Sequence, residues 1–337
     1  SLVTSETAAS GGTIISNGGG TIIATGLCWN TSPNPDITMN HSDVNIASGD
    51  FTDKILALSS NTTYYVKAYA TNSAGTSYGN ELSFTTGDPS IYVVGYENAQ
   101  GNISEARLWK NGIVTSLSSS AYGSDARSIF VLNTDVYIVG VEDLFTVNNK
   151  ARLWKNGIVS PLSNFSSSDA NSVFVSGPDV YIGGSESHFA KTWKNNTPTL
   201  LTTTSPSYVS SIFVSGNDIY AAGGINNTGK LWKNGVETFS QSGVQSGCNS
   251  VFVNGTDVYV AGYEYNGIQS FAKVWKNNVA INLASGQINS LNANAVFVAG
   301  MDIYVAGYQG NVAKLWKNGI ATSLTDGTVA ASALAVY

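Results

Sequence analysis

The sequence predicts an all-β chain in two parts: an antiparallel sandwich over residues 1–86, then a closed ring of six small sheets over 90–337. Three observations predict it. Gly, Ser, Thr and Asn are abundant and no long run of helix formers occurs, which is the composition of short strands joined by polar turns. Residues 64–69 alternate in a β-rich pattern between turn residues. From residue 91 onward, three short motifs recur in a fixed order.

In the first part, "GTIIATGLCWNTSPNP" reads as a strand carrying Trp29 that closes on Pro-containing turns. Residues 64–69 form a second strand, "NSAG" a turn and "ELSFTT" a last strand. A Trp in mid-sequence and a Tyr opening a late strand suit an immunoglobulin-like sandwich. "GLCWNTSPNP", Leu58 six residues before Tyr64, and "YYVKAYATNSAGTSYGNELSFTT" resemble the fibronectin type III-like modules of secreted proteins of Bacteroidota. The resemblance implies that Tyr64 is the tyrosine corner, that Trp29 is the core Trp, and that the chain is extracellular or on the cell surface. Such modules carry another strand before "TSETAASGGTIIS", so the resemblance also implies that the chain is part of a longer polypeptide.

The second part is built of repeats. Trp109, Trp154, Trp193, Trp232, Trp275 and Trp316 are spaced 45, 39, 39, 43 and 41 residues apart, each inside a motif such as "ARLWKNG" or "AKLWKNG". Before each stands a strand of the type "VYVAGYE", and before that, from the second repeat on, one of the type "SIFV". Strand, tight turn, strand, loop, strand, tight turn and a weak fourth strand in about 40 residues is the signature of a β-propeller blade. The region starts on a second strand, "IYVVGYE", and ends on "ALAV" at 333–336, which aligns with "SIFV". The last strand is therefore expected to complete the first blade and leave no open edge.

The repeats also explain the charges. Of 16 basic residues, 12 fall in two columns. Arg107, Arg152, Lys191, Lys230, Lys273 and Lys314 lie across a hairpin from Glu97, Glu142, Glu186 and Glu264, and in two blades from Ile225 and Gln309. Lys110, Lys155, Lys194, Lys233, Lys276 and Lys317 precede Asn-Gly or Asn-Asn, favoured in type I′ hairpins, and are expected to meet Asp135, Asp179, Asp218, Asp257 and Asp302. Both columns read as structural, with a functional basic ring as the alternative. The Trp column reads as a wedge between adjacent blades.

Strand direction separates two faces. One carries the short, uniform turns; the other carries connections that vary in length and content, where binding usually resides. Near the inner strands on that variable face lie Arg127, Asn171, Ser210, Asn249, Asn294 and, by alignment, Ser332, ringing the mouth of a central channel. They can hold a ligand, an ion or only water. Tyr122, Tyr208 and Tyr265 are the aromatic candidates there, either stacking on a sugar or protein partner or packing their own loops.

The net charge of −6 argues against a nucleic-acid partner, and no run of eighteen apolar residues marks a membrane span. No signal peptide opens the sequence. Cys28 and Cys248 fall in different parts and read as buried thiols; no cofactor or metal set is evident. His41 and His188 also fall in different parts, so no His-based triad is expected. Glu105, Asp125, Asp143, Asp169 and Asp326 are scattered, whereas a glycosidase needs two carboxylates close together. The expectation is a non-enzymatic binding or adhesion module of a larger surface protein, taking a glycan or a protein. The alternatives are a structural spacer or subunit of a surface assembly, and a carbohydrate-active enzyme with carboxylates at the channel mouth.

Overall fold

A computed structural model describes residues 3–98, 103–118, 120–144, 149–163, 167–241, 244–286 and 291–330. The closing strand expected at 333–336, and Ser332, lie outside the described residues. The described regular structure is all β, and the chain divides into two compact units, Ser1–Ile91 and Tyr92–Tyr337.

The first unit has two antiparallel sheets. Ala8–Ile14 pairs with Gly49–Ile55. Asn40–His41, Ala24–Asn30, Thr63–Asn72 and Gly75–Tyr78 make the other, with Leu82–Thr85 also on Thr63–Asn72. Their inner faces enclose Leu27, Phe51, Ile55, Leu58, Tyr64 and Val66, with Trp29 partly buried against them. The Tyr64 hydroxyl accepts the Ser59 N–H at 3.0 Å, pinning the chain before its own strand. Cys28 is a buried free thiol, its pKa raised by burial.

The second unit is a series of repeated sheets resembling propeller blades. The first has three strands, Tyr92–Asn98, Ser104–Lys110 and Ile113–Ser116; the next five have four each, all in sequence order and antiparallel. The inner strands of the second to sixth sheets are Ser124–Leu132, Ser168–Ser176, Ser207–Ser215, Gln245–Asn254 and Leu291–Ala299. Each packs on the sheet before it. From the second sheet on, the Trp turns toward the sheet before it: Trp193 is buried with Ala151 and Leu153, and Trp316 with Ala272 and Val274. Trp109 of the first sheet is only partly buried. Along the inner strands, Phe130, Phe174, Phe213, Phe252 and Phe297 touch in succession, with ring centroids 4.8–5.1 Å apart.

Hydroxyls join the sheets where the ladder cannot. Ser124, Ser168 and Ser207 are buried and accept the N–H of Ala106, Ala151 and Ala190 in the preceding sheet. Ser128, Ser172, Ser211 and Ser250 accept N–H groups from the following sheet at 3.1–3.3 Å. These bonds satisfy backbone donors buried between blades.

Candidate functional site: the variable face of the repeat unit

The Arg127 column is created by a backbone irregularity. In each inner strand the ladder skips one residue, between Ala126 and Ser128, Ala170 and Ser172, Val209 and Ser211, Cys248 and Ser250, and Ala293 and Ala295. The skipped residues are Arg127, Asn171, Ser210, Asn249 and Asn294. A bulge re-aims its extra side chain, and here three of these side chains reach the next sheet.

Arg127 is the centre of the largest cluster. Its Nη1 lies 2.9 Å from Asp169 and 2.8 Å from the Asn171 carbonyl, while its Nε lies 3.3 Å from Asp125. Asn171 donates through Nδ2 to the Val209 carbonyl at 2.8 Å. Asn249 donates to Asn292 Oδ1 at 2.6 Å and to the Ala293 carbonyl at 2.9 Å. Asn294 holds the same bulge position in the sixth sheet. Burial holds the Asp125 carboxyl above the usual range, with the Arg127 charge opposing it. Of the polar residues expected at the mouth, Arg127 and Asn171 meet, and Arg127, Asn171 and Asn249 each stitch adjacent sheets.

The three tyrosines separate. Tyr122 is 60% exposed. Tyr208 is 39% exposed, and its ring lies across Gly224, with Oη, Cζ and Cε1 at 3.1, 3.2 and 3.3 Å from where a Cβ would stand. Tyr265 packs its own loop: it is partly buried, and its hydroxyl donates to the Gly267 carbonyl at 2.9 Å, capping its hairpin. The exposed apolar groups beside it are Ile268 and Val244, at 83% and 71%. Sequence reasoning passed over Tyr263. Its ring lies across Gly247, 2.6–3.3 Å from the missing Cβ. The signal was the Tyr–Gly pairing at equivalent ladder positions, Tyr208 opposite Gly224 and Gly247 opposite Tyr263.

The basic columns are paired much as expected. Arg152 meets Glu142 at 2.6 Å, Lys273 meets Glu264 at 3.0 Å and Lys191 meets Glu186. Arg107 lies 3.2 Å from Glu97 and 2.7 Å from Glu105. Where Ile225 replaces the Glu, Lys230 turns to Glu237 at 2.7 Å; where Gln309 does, Lys314 bonds Ser323 at 2.8 Å. A cavity of about 360 Å³ lined by Glu142, Lys150, Arg152, Val159, Pro161 and Ser163 is charge-balanced, since Lys150 also meets Asp143 at 2.7 Å.

On the opposite face, Lys155, Lys194, Lys233, Lys276 and Lys317 each meet the expected Asp at 2.7–3.1 Å and lie 4.9–5.4 Å from a Tyr ring centroid. The turn Asn completes each clasp. Asn156 donates to Asp135 at 2.8 Å and accepts the Val136 N–H at 2.8 Å, and Asn195, Asn234, Asn277 and Asn318 do the same in the later sheets. Asn156 and Gly157 have φ of 52° and 81°, as a type I′ turn requires. Cys248 is buried beside Gln241, and burial pushes its thiol up to about 12, so it is an inert thiol.

No family model and no curated protein matches the chain. Among solved structures, the computationally designed Ika8 protein aligns over 82% of this chain and 87% of its own, with 14% identity and a TM-score of 0.43. TolB from Acinetobacter baumannii aligns over 75% and 73%, with 10% identity and 0.45. Sqt1 from Saccharomyces cerevisiae aligns over 77% and 92%, with 9% identity and 0.39. These likenesses are too distant to carry an argument, and the architecture rests on the strands themselves.

Proposed function

We propose that the chain is a non-enzymatic, extracellular binding or adhesion module of a larger bacterial surface or secreted protein, and that a glycan or protein partner docks on the variable face of a closed six-bladed propeller. The first unit is a fibronectin type III-like domain in this reading. Its two-stranded and larger sheets, and the Tyr64 hydroxyl bonded just upstream, support it.

A column of glycines supports closure. A Cβ at Gly140, Gly184, Gly223, Gly262 or Gly307 would fall on a carbonyl oxygen of the inner strand beside it, that of Asp125, Asp169, Tyr208, Gly247 or Asn292. The bulge brings that backbone close, so the sequence keeps a Gly there. Gly95 stands in the same column of the first sheet, yet among the described residues the nearest atom to its missing Cβ is a ring carbon of Trp109 at 3.7 Å. An inner strand supplied by 331–337 would give Gly95 the reason its five counterparts have.

The observation that carries the binding assignment is the contrast between faces. The tight-turn face uses its charges in five near-identical clasps, so it offers little to distinguish one blade from another. The variable face differs from sheet to sheet and displays Tyr122, Tyr208, Ile268 and Val244. Asp125 and Asp169 share the Arg127 guanidinium, and Glu97 and Glu105 share that of Arg107, so both carboxylate pairs are ion-paired, which favours a binding role over hydrolysis. Substituting Tyr122 and Tyr208 together by Ala should weaken partner binding with the melting temperature preserved, while Lys194→Ala on the other face should leave binding unchanged. A partner that keeps its affinity for the first variant and loses it for the second would refute the choice of face.

A further inference from the structure

We propose that the inner rim of the variable face is a saccharide site for neutral glycans, with Tyr208 and Tyr263 as stacking platforms and Asp125, Arg127, Asp169 and Asn171 as the adjoining hydrogen-bonding arc. This rests on the variable-face reading above and narrows it to one ligand class and one place.

The platforms come first. Two ring carbons and the hydroxyl oxygen of Tyr208 stand 3.1–3.3 Å from the missing Cβ of Gly224, so the phenol end of the ring covers that glycine. In the next sheet the strands exchange roles: Tyr263, on the second strand, covers Gly247 of the inner strand, with Cε1 nearest the missing Cβ at 2.6 Å. Side chains occupy the corresponding positions in the second and third sheets, where Val141 faces Asp125 and Ser185 faces Asp169. Tyr308 faces Asn292 in the sixth sheet, so it is the seating of a Tyr over a Gly that is particular to the fourth and fifth sheets. A ring seated over a backbone glycine is poorly shaped to insert into a partner's pocket, as a protein hot-spot aromatic does. It is well shaped to receive the C–H face of a pyranose, which brings apolar area with hydroxyls at its edge.

The arc supplies partners for those hydroxyls. Two carboxylates, an amide and a guanidinium are planar groups able to take paired hydroxyls, and each retains bonding capacity beyond the contacts described. The Asn171 bond to the Val209 carbonyl places the end of the arc beside Tyr208. Burial raises the Tyr208 pKa, which keeps its phenol a donor at neutral pH. The charges set the ligand class: two carboxylates against one guanidinium leave a net negative rim, which disfavours uronates and sialylated sugars.

The experiment probes the full chain on a printed array of neutral gluco-, manno-, galacto- and N-acetylglucosamine oligosaccharides, with uronate oligomers alongside. Calorimetry then measures the best-bound neutral oligosaccharide. Tyr208→Ala and Tyr263→Ala should each lower affinity at least about tenfold, whereas Tyr208→Phe keeps the platform and should stay within about threefold. Should either Ala variant fail to fold, Asp169→Asn, which preserves shape, should weaken binding instead. A wild-type chain silent on every neutral oligosaccharide, or one binding only uronates, overturns the assignment. Affinity that survives Tyr208→Ala and Tyr263→Ala but falls with Tyr122→Ala overturns this site and leaves the face standing. Affinity lost only with Lys194→Ala overturns both.

Discussion

The five Asp–Lys–Asn–Tyr clasps show how a single residue type can make a blade's stability depend on pH. Hydrogen bonds from Lys and Asn hold Asp179, Asp218, Asp257 and Asp302 below the usual carboxylate range, and from Asn and then Lys they do the same for Asp135. A depressed carboxylate stabilises the fold at pH above its unfolded value of about 3.9, and that contribution is lost as pH falls through the folded value. The partner lysines are raised, so their contribution persists at lower pH and is lost only as pH climbs through values above about 10.4. Replacing the five aspartates by Asn should therefore lower the melting temperature at pH 7 and flatten its fall between about pH 5 and 2. An equally steep acid limb in that variant would show that other groups govern acid unfolding. Arg127 belongs to the same scale. Arg127→Met removes the bridge between the second and third sheets and should cost about 1–3 kcal/mol in urea denaturation. A loss confined to salt-sensitive tenths would mean that the bridge is only a surface pair.

At the scale of the element, the wedge between sheets is the main apolar contribution. Trp193 is fully buried against Ala151 and Leu153, so Trp193→Ala should cost about 3–5 kcal/mol by chemical denaturation. Much of this level was legible in the sequence. Trp spacing, the "VYVAGYE" and "SIFV" strands and the Lys-Asn-Gly turns repeat, and a repeat reveals a column without any knowledge of depth. The Lys–Asp pairs were legible for the same reason. The bulge was missed although it leaves a mark, a one-residue slip in the alternation such as buried Ala170 followed by buried Val173, because so short a slip in a strand of nine residues reads as ordinary polar variation. With it were hidden the reason for the repeated Gly, the reach of Arg127 to Asp169, and the seat of Tyr263 on Gly247. Of the two roles open to Tyr265, the structure shows the loop-packing one, since its hydroxyl turns back to the Gly267 carbonyl.

At the scale of the whole molecule, the account depends on the ring being closed, because only a closed ring gathers the rim residues of all six sheets around one mouth. Closure makes a demand on one residue. Gly184 has a carbonyl oxygen where its Cβ would stand, so Gly184→Ala should cost about 1–3 kcal/mol through overpacking against backbone. Gly95 is spared that clash among the described residues, and meets it only if the C-terminal strand lies beside it. The most direct measurement is the denaturation free energy of Gly95→Ala and Gly184→Ala, each in the full chain and in a chain ending at residue 330. The account predicts that the two substitutions cost about the same in the full chain, and that Gly95→Ala becomes nearly neutral once 331–337 is removed. A Gly95→Ala substitution that is already neutral in the full chain would contradict closure.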